Sequence, residues 1–240
     1  MNTLHTYIPQ DRLHALVRGE SLPDFTSGSA LFADIHGFTP MARAFAKTLG
    51  PKRGAEALLG LLTPLFDALI EPVHHYGGSV IGFVGDAITC WFNIPSLHSE
   101  QPLYYSSLQA TAAALAMQSA MKPFAIVYTP DGSSVTLSIK VAISSGTARR
   151  FVVGDPAIQQ IDTVAGATLS RMSDAEKYAG QGEVVVSQEV VENLGDVLSV
   201  SAWRAEKKYA VVDGLSTTVQ AAPWPSLPET ALSEDQARPW

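Results

Sequence analysis

Cysteine is nearly missing from this chain: Cys90 is the only one in 240 residues. An intrachain disulfide is therefore excluded, and a reducing compartment, the cytoplasm, is the expected location. Cys90 lies within an expected strand and reads as a small buried hydrophobe rather than a nucleophile. Charge is also sparse, at 16% of residues, and the balance is acidic, with a formal net charge of -7 and no dense Lys/Arg run. Nonspecific nucleic-acid binding depends on clustered cations that displace counterions, so no nucleic-acid partner is expected. Long apolar runs are lacking too. A membrane span needs about 20 largely apolar residues, and the most apolar segment, residues 55–73, is broken by Pro64, Asp67 and Glu71. No membrane association is expected. Residues 1–10 lack the basic region and apolar run of a secretory signal.

What is present is a chain 46% hydrophobic, long enough to bury a large core as one globular domain with short tails. Residues 1–28 read as a lead-in, with Ile8, Leu13, Leu16 and Val17 as the stripe of a short helix. From Ala222 the prolines 223, 225, 228 and 239 punctuate an acidic tail of linker character, so the domain is expected over 29–213 and a tail over 214–240.

The organising stretch is 29–92. A strand at 29–34, apolar on both faces, ends at Asp34. A long helical region follows, then a hairpin of strands 79–84 and 87–92 turning on Gly85-Asp86. If the strands are neighbours, Asp34 and Asp86 converge, and paired carboxylates at strand tips suit divalent cations. After Asp34, Gly37 permits a turn, Thr39 is expected to cap a helix and Pro40 to open it, leaving amides suited to phosphate. Leu58, Leu62, Leu65, Phe66, Leu69 and Val73 recur at helical spacing and read as core. His74-His75 near the helix end reads as dipole-compatible rather than as a metal site. Residues 93–107 read as a loop, 108–121 as an alanine-rich helix, and 135–153 as a second hairpin turning at Ser145-Gly146. Strands near 159–164, 183–187, 198–202 and 207–212 alternate with helices at 167–179 and 188–194. The fold class is α/β (α+β): a mixed, mostly antiparallel sheet with helices packed on it.

Phe32-Ala33-Asp34-Ile35-His36-Gly37-Phe38-Thr39, with Gly77-Gly78 and Phe83-Val84-Gly85-Asp86-Ala87, resembles the class III nucleotidyl (adenylate and guanylate) cyclases. The resemblance runs from about residue 30 to 212 and is nearest the bicarbonate-responsive soluble type, to which the 53–56 stretch and Gly154-Asp155 also point. It implies a ferredoxin-like βαββαβ core and a dimer of cyclase domains with ATP as substrate. It also implies two Mg2+ or Mn2+ ions on Asp34, Asp86 and the Ile35 carbonyl, with residues Ile35, His36, Gly37, Phe38 and Thr39 facing the phosphates. Thr163 occupies a base-reading position and points toward ATP.

Three positions depart from the family pattern. Gly82 stands where base-reading members have lysine, Ser170 where they have asparagine and Asp174 where they have arginine. Arg171 lies beside these positions but about 100° round the helix. An aspartate in place of the arginine repels the charge it should stabilise. The resemblance therefore implies the first, metal-donating domain of a pair, with a second cyclase domain supplying the missing groups. The alternative is a catalytically inactive, cyclase-like regulatory or nucleotide-binding module.

Overall fold

A computed structural model describes residues 8–93, 101–228, 231–237 and 240. The elements in order are α1 (Gln10–Val17), β1 (Phe25–His36), α2 (Phe38–Leu49), α3 (Pro51–His75), β2 (Ser79–Val84), β3 (Ala87–Asn93) and α4 (Pro102–Met121). Then come β4 (Ile126–Tyr128), β5 (Ser134–Thr136), β6 (Ser138–Asp155), β7 (Gln159–Ala165) and α5 (Ala167–Glu176). The chain ends with β8 (Val184–Ser187), α6 (Gln188–Leu194), β9 (Leu198–Arg204), β10 (Tyr209–Leu215) and α7 (Glu234–Ala237).

The main sheet runs β2-β3-β1-β6-β8-β10-β9, with β7 paired to the distal part of β6. Its pairings are antiparallel except β6 with β8. The βαββαβ core and the mixed, mostly antiparallel sheet are as expected. Alternation along β1 divides its side chains between two layers. Leu31, Ala33 and Ile35 join the larger core with Leu65 and Leu69 of α3, Met117 of α4 and Val190 of α6. Ala30 joins the smaller one with Trp91, Ala142 and, from α5, Met172 and Ala175. Each large apolar side chain buried this way contributes about 1.5–3 kcal/mol.

In α3, Leu65, Leu69 and Val73 are fully buried and Leu58, Leu62 and Phe66 pack half-buried against them, so the helical stripe is core. The helix has the length and composition of a membrane span, and Leu59 on its outer side is 65% exposed.

Several boundaries differ from expectation. The 135–153 segment is no hairpin, because β6 runs unbroken through Ser145-Gly146. Its residues pair with β1, Gly28 opposite Gly146 and Ser29 opposite Ser145. The serine hydroxyls that suggested a turn instead satisfy one another inside the protein. Ser145 Oγ lies 2.7 Å from the Oγ atoms of both Ser29 and Ser107. The true hairpin is β6–β7, turning after Asp155. The expected loop at 93–107 holds the start of α4 from Pro102, and its 94–100 part lies outside the described residues. The small β4–β5 hairpin was not anticipated.

The described parts of the lead-in and the tail pack on the domain. β1 starts at Phe25, inside the expected lead-in, and β10 ends at Leu215, beyond 213. Helix α1 is stapled on by a closed cluster of buried charge. Arg150 bonds both Asp11 and Asp162, and Arg12 bonds Asp162 at 2.9 Å. All four residues are at most 7% exposed. Desolvation opposes the ionised forms, but the hydrogen bonds outweigh it: Asp162's pKa is lowered and Arg150's is raised. The tail returns to the same region. The Ala222 amide donates to the His75 carbonyl at 3.0 Å and the Trp224 indole to the Gly78 carbonyl at 2.7 Å. Trp224 also stacks on His14, with ring centroids 5.1 Å apart.

Candidate active site

Asp34 is placed by strand alternation. It follows Ala30 and Phe32 along the side of β1 that faces α5, at the strand's open end. The β1–β3 register sets Asp34 opposite Ala87, so Asp86 is the adjacent turn residue. Burial raises the pKa of Asp86, and the nearby charge of Asp34 adds to that rise. The structure therefore brings the two carboxylates together.

Two further side chains complete the cluster. Lys140 stands opposite Asp34 in the β1–β6 register, on the face it shares with Ala142. Its ammonium is 3.3 Å from Asp34 Oδ2 and bonds closely to Glu176, the last residue of α5. The Glu176 bond is the largest cause of a raised Lys140 pKa. Neither residue was anticipated. The signal for Lys140 was a lone lysine in an otherwise apolar strand; Glu176 carried no signal short of the fold itself.

The neighbouring loop differs from expectation in its capping. Helix α2 begins at Phe38 with Gly37 as its N-cap, so Thr39 is the second helical residue rather than the cap, and Pro40 the third. Gly37 is left-handed, with φ of 94°, and a Cβ there would lie 2.3 Å from the Thr136 carbonyl oxygen. β5 thus forces a glycine, and the glycine sets the helix start. The first-turn amides carry no side-chain cap and are open to an anion at the end of β1. Ile35 is buried at 2% exposure, while His36 is exposed and receives a 2.7 Å bond from the Gln181 amide.

Asp34 and Asp86 offer hard carboxylate oxygens of the kind that suits Mg2+ or Mn2+. Among the described residues no group of three or more His, Cys, Asp and Glu is arranged for a metal ion. Magnesium sites of few carboxylates, completed by water and substrate phosphate, are of this sparse kind.

The remaining sequence-marked residues lie elsewhere. Thr163 is on β7 opposite Phe151. Ser170 and Asp174 line a shallow depression of about 500 Å3 with Gly166, Leu169 and Ser173, and no cationic residue lines it. Asp174 accepts a 2.7 Å bond from Lys177, and the Ser170 hydroxyl donates back to the Gly166 carbonyl. Arg171 does not substitute for the missing arginine. It points into the protein, donating to the Ser145 carbonyl at 2.9 Å and pairing with Glu189 at 2.7 Å. Gly146 leaves that space free: a Cβ would meet Arg171 Nη2 at 2.7 Å. Gly82 lies on β2 with open space where a side chain would project.

The sheet order, the facing aspartates and the glycine-started helix define a nucleotidyl cyclase domain. The family model for the adenylate and guanylate cyclase catalytic domain matches residues 23–218, and the chain belongs to that family. It is 22% identical over 165 residues to adenylate cyclase type 10 of Oryctolagus cuniculus, covering 68% of this chain and 10% of that protein. The human protein of the same name is 35% identical over 71 residues, 30% of this chain and 4% of its own length. The chain thus spans a tenth or less of these relatives. Among solved structures, the adenylyl cyclase CyaB from P. aeruginosa aligns with a TM-score of 0.63 at 24% identity, covering 80% of this chain and 96% of that one. The guanylate cyclase domain of RhGC from Catenaria anguillulae, in complex with GTP, aligns at 0.62 with 17% identity, covering 80% and 98%.

Proposed function

We propose that this chain is the metal-donating half of an adenylate cyclase, converting ATP to 3',5'-cyclic AMP and pyrophosphate together with a second cyclase domain. The observation that carries the reading is the charge imbalance at the end of β1. Three carboxylates, Asp34, Asp86 and Glu176, face one ammonium, Lys140. That excess negative charge is unfavourable unless cations join it. Asp34, Asp86 and the Ile35 carbonyl would hold two Mg2+ or Mn2+ ions. When bound, such ions polarise the ribose 3'-hydroxyl and offset the triphosphate charge.

The chain's own residues supply the rest of this half. The open amides at Gly37, Phe38 and Thr39 orient phosphate oxygens, and Lys140 supplies a cation beside them. The 3'-hydroxyl oxygen attacks the α-phosphorus in line, its proton passing to solvent, while the bond from the α-phosphorus to pyrophosphate breaks.

Among the described residues the other half of the reaction is incomplete, since Gly82, Ser170 and Asp174 offer neither the base-reading lysine nor the ribose-orienting asparagine nor the transition-state cation. The β6–β7 arm supports a partner domain. It exposes Val153 (49%), Ile158 (82%) and Ile161 (55%), apolar side chains that association would cover. Thr163 favours ATP over GTP in this reading.

Mixing the chain with a cyclase domain that carries the lysine, asparagine and arginine should produce cyclic AMP in the presence of Mn2+, and Asp34→Ala or Asp86→Ala should abolish it. Full activity in either complemented variant would refute the assignment. The pairing of Asp174 with Lys177 favours a second reading, a catalytically inactive regulatory or nucleotide-binding module. It requires nucleotide binding that does not depend on metal.

A further inference from the structure

The ammonium of Lys140 has two carboxylate neighbours with different demands on it. Asp34 lies 3.3 Å away and is fixed opposite it by strand register, while Glu176 makes the closer contact. A cation bound to Asp34 must compete with Lys140 for the same carboxylate oxygens, so whatever draws the ammonium aside governs that competition. Glu176 is well mounted for this task. It ends α5, whose Met172 and Ala175 are buried in the smaller core. The helix is tied to β6 by Thr168, which donates to the Thr147 carbonyl at 2.7 Å, and by Arg171 at Ser145. The carboxylate is therefore delivered by a rigid element rather than a loop.

We propose that Glu176 is a positioning residue for Lys140: by taking its ammonium, Glu176 leaves Asp34 free to accept a divalent cation and so sets the cation affinity of the site. The inference rests on the reading of Asp34 as a cation ligand. It assigns α5 a second task in this chain. Its outward face has lost the family's asparagine and arginine, while its last residue serves the metal side through β6.

The charge on Glu176 could also favour a cation directly, and a double-mutant cycle separates the two effects. Titration of the chain with Mn2+ alone, followed by electron paramagnetic resonance, supplies a readout independent of catalysis. Glu176→Gln should weaken Mn2+ binding about three- to tenfold, within the range of coupling between contacting charged groups. Lys140→Met should strengthen it by a similar factor. In the Lys140→Met background, Glu176→Gln should change affinity less than about twofold, because no ammonium remains to be held. An equal loss with and without Lys140 would overturn the positioning role and leave a plain charge effect. Asp34→Ala isolates the underlying reading. If that variant binds Mn2+ like the parent, the metal assignment fails and the positioning role with it. If it loses binding while the cycle shows no coupling, only the positioning role fails.

Discussion

Two clusters of four residues use similar side chains for opposite ends. Asp11, Arg12, Arg150 and Asp162 pair two carboxylates with two guanidinium groups, all buried. Asp34, Asp86, Lys140 and Glu176 set three carboxylates against one ammonium, in partial contact with solvent. The first is neutral and saturated, and it fastens α1 to the base of the β6–β7 arm. The second is unbalanced, and the pKa of Asp86 within it is raised, first by burial and then by the nearby charge of Asp34. The buried cluster is costly to break because removing one partner strands a buried charge, whereas the strand-end cluster carries an excess of negative charge that solvent can reach.

The comparison breaks first at Arg150. Arg150→Met leaves Asp11 and Asp162 facing each other without their shared cation, which should cost about 3–5 kcal/mol. A thermal melt should fall by roughly 10 °C, and an unchanged melt would mean that the closed cluster is not structural. Asp34→Ala should act the other way round. Complemented cyclase activity should drop by about a hundred- to a thousandfold or more, while the melting temperature stays within about 2 °C. A large loss of stability would erase the distinction between the clusters.

Rebuilding the missing half sharpens it further. Gly82→Lys, Ser170→Asn and Asp174→Arg together should give a chain that makes cyclic nucleotide by pairing with a second copy of itself, with no different cyclase domain added, at least about tenfold above the parent. Absence of any gain would show that more than these three groups is missing.

Asp86 provides a pH test. Its folded pKa is raised, so its ionised form disfavours the fold at neutral pH, and that cost is relieved as pH falls through the raised value. Asp86→Asn should therefore be slightly more stable than the parent at pH 7, by less than about 1 kcal/mol, with the difference vanishing near pH 4. The smallest effect belongs to His14, whose pKa is lowered by burial and then by Arg18. Its neutral form favours the fold above the ordinary histidine pKa, and that contribution is lost as pH falls below about 6.5. His14→Phe should flatten the fall in melting temperature between about pH 6.5 and pH 5.

Much of this was legible in the sequence, for identifiable reasons. The aspartates stood at the ends of apolar strands, α3 carried its period openly, and α6 spans the residues its pattern indicated. The unbroken β6 was hidden because Ser145-Gly146 has turn chemistry, and only burial among other serines reverses its meaning. The start of α2 was hidden because the Thr39-Pro40 signal is local, while the constraint on Gly37 comes from β5, about a hundred residues further along. Lys140 and Glu176 escaped notice because their partners are chosen by register and helix docking rather than by spacing.

Trp224 has a consequence beyond holding the tail. β2 is the outermost strand on its side of the sheet, and its backbone is the kind of edge on which other chains assemble. The segment at 223–228 lies against the start of that strand and contains three prolines, which cannot extend a hydrogen-bonded ladder. The tail thus acts as a selvedge, closing the sheet where the β2–β3 hairpin that carries Asp86 begins. A chain cut after β10 should retain every residue of the site and still aggregate through β2.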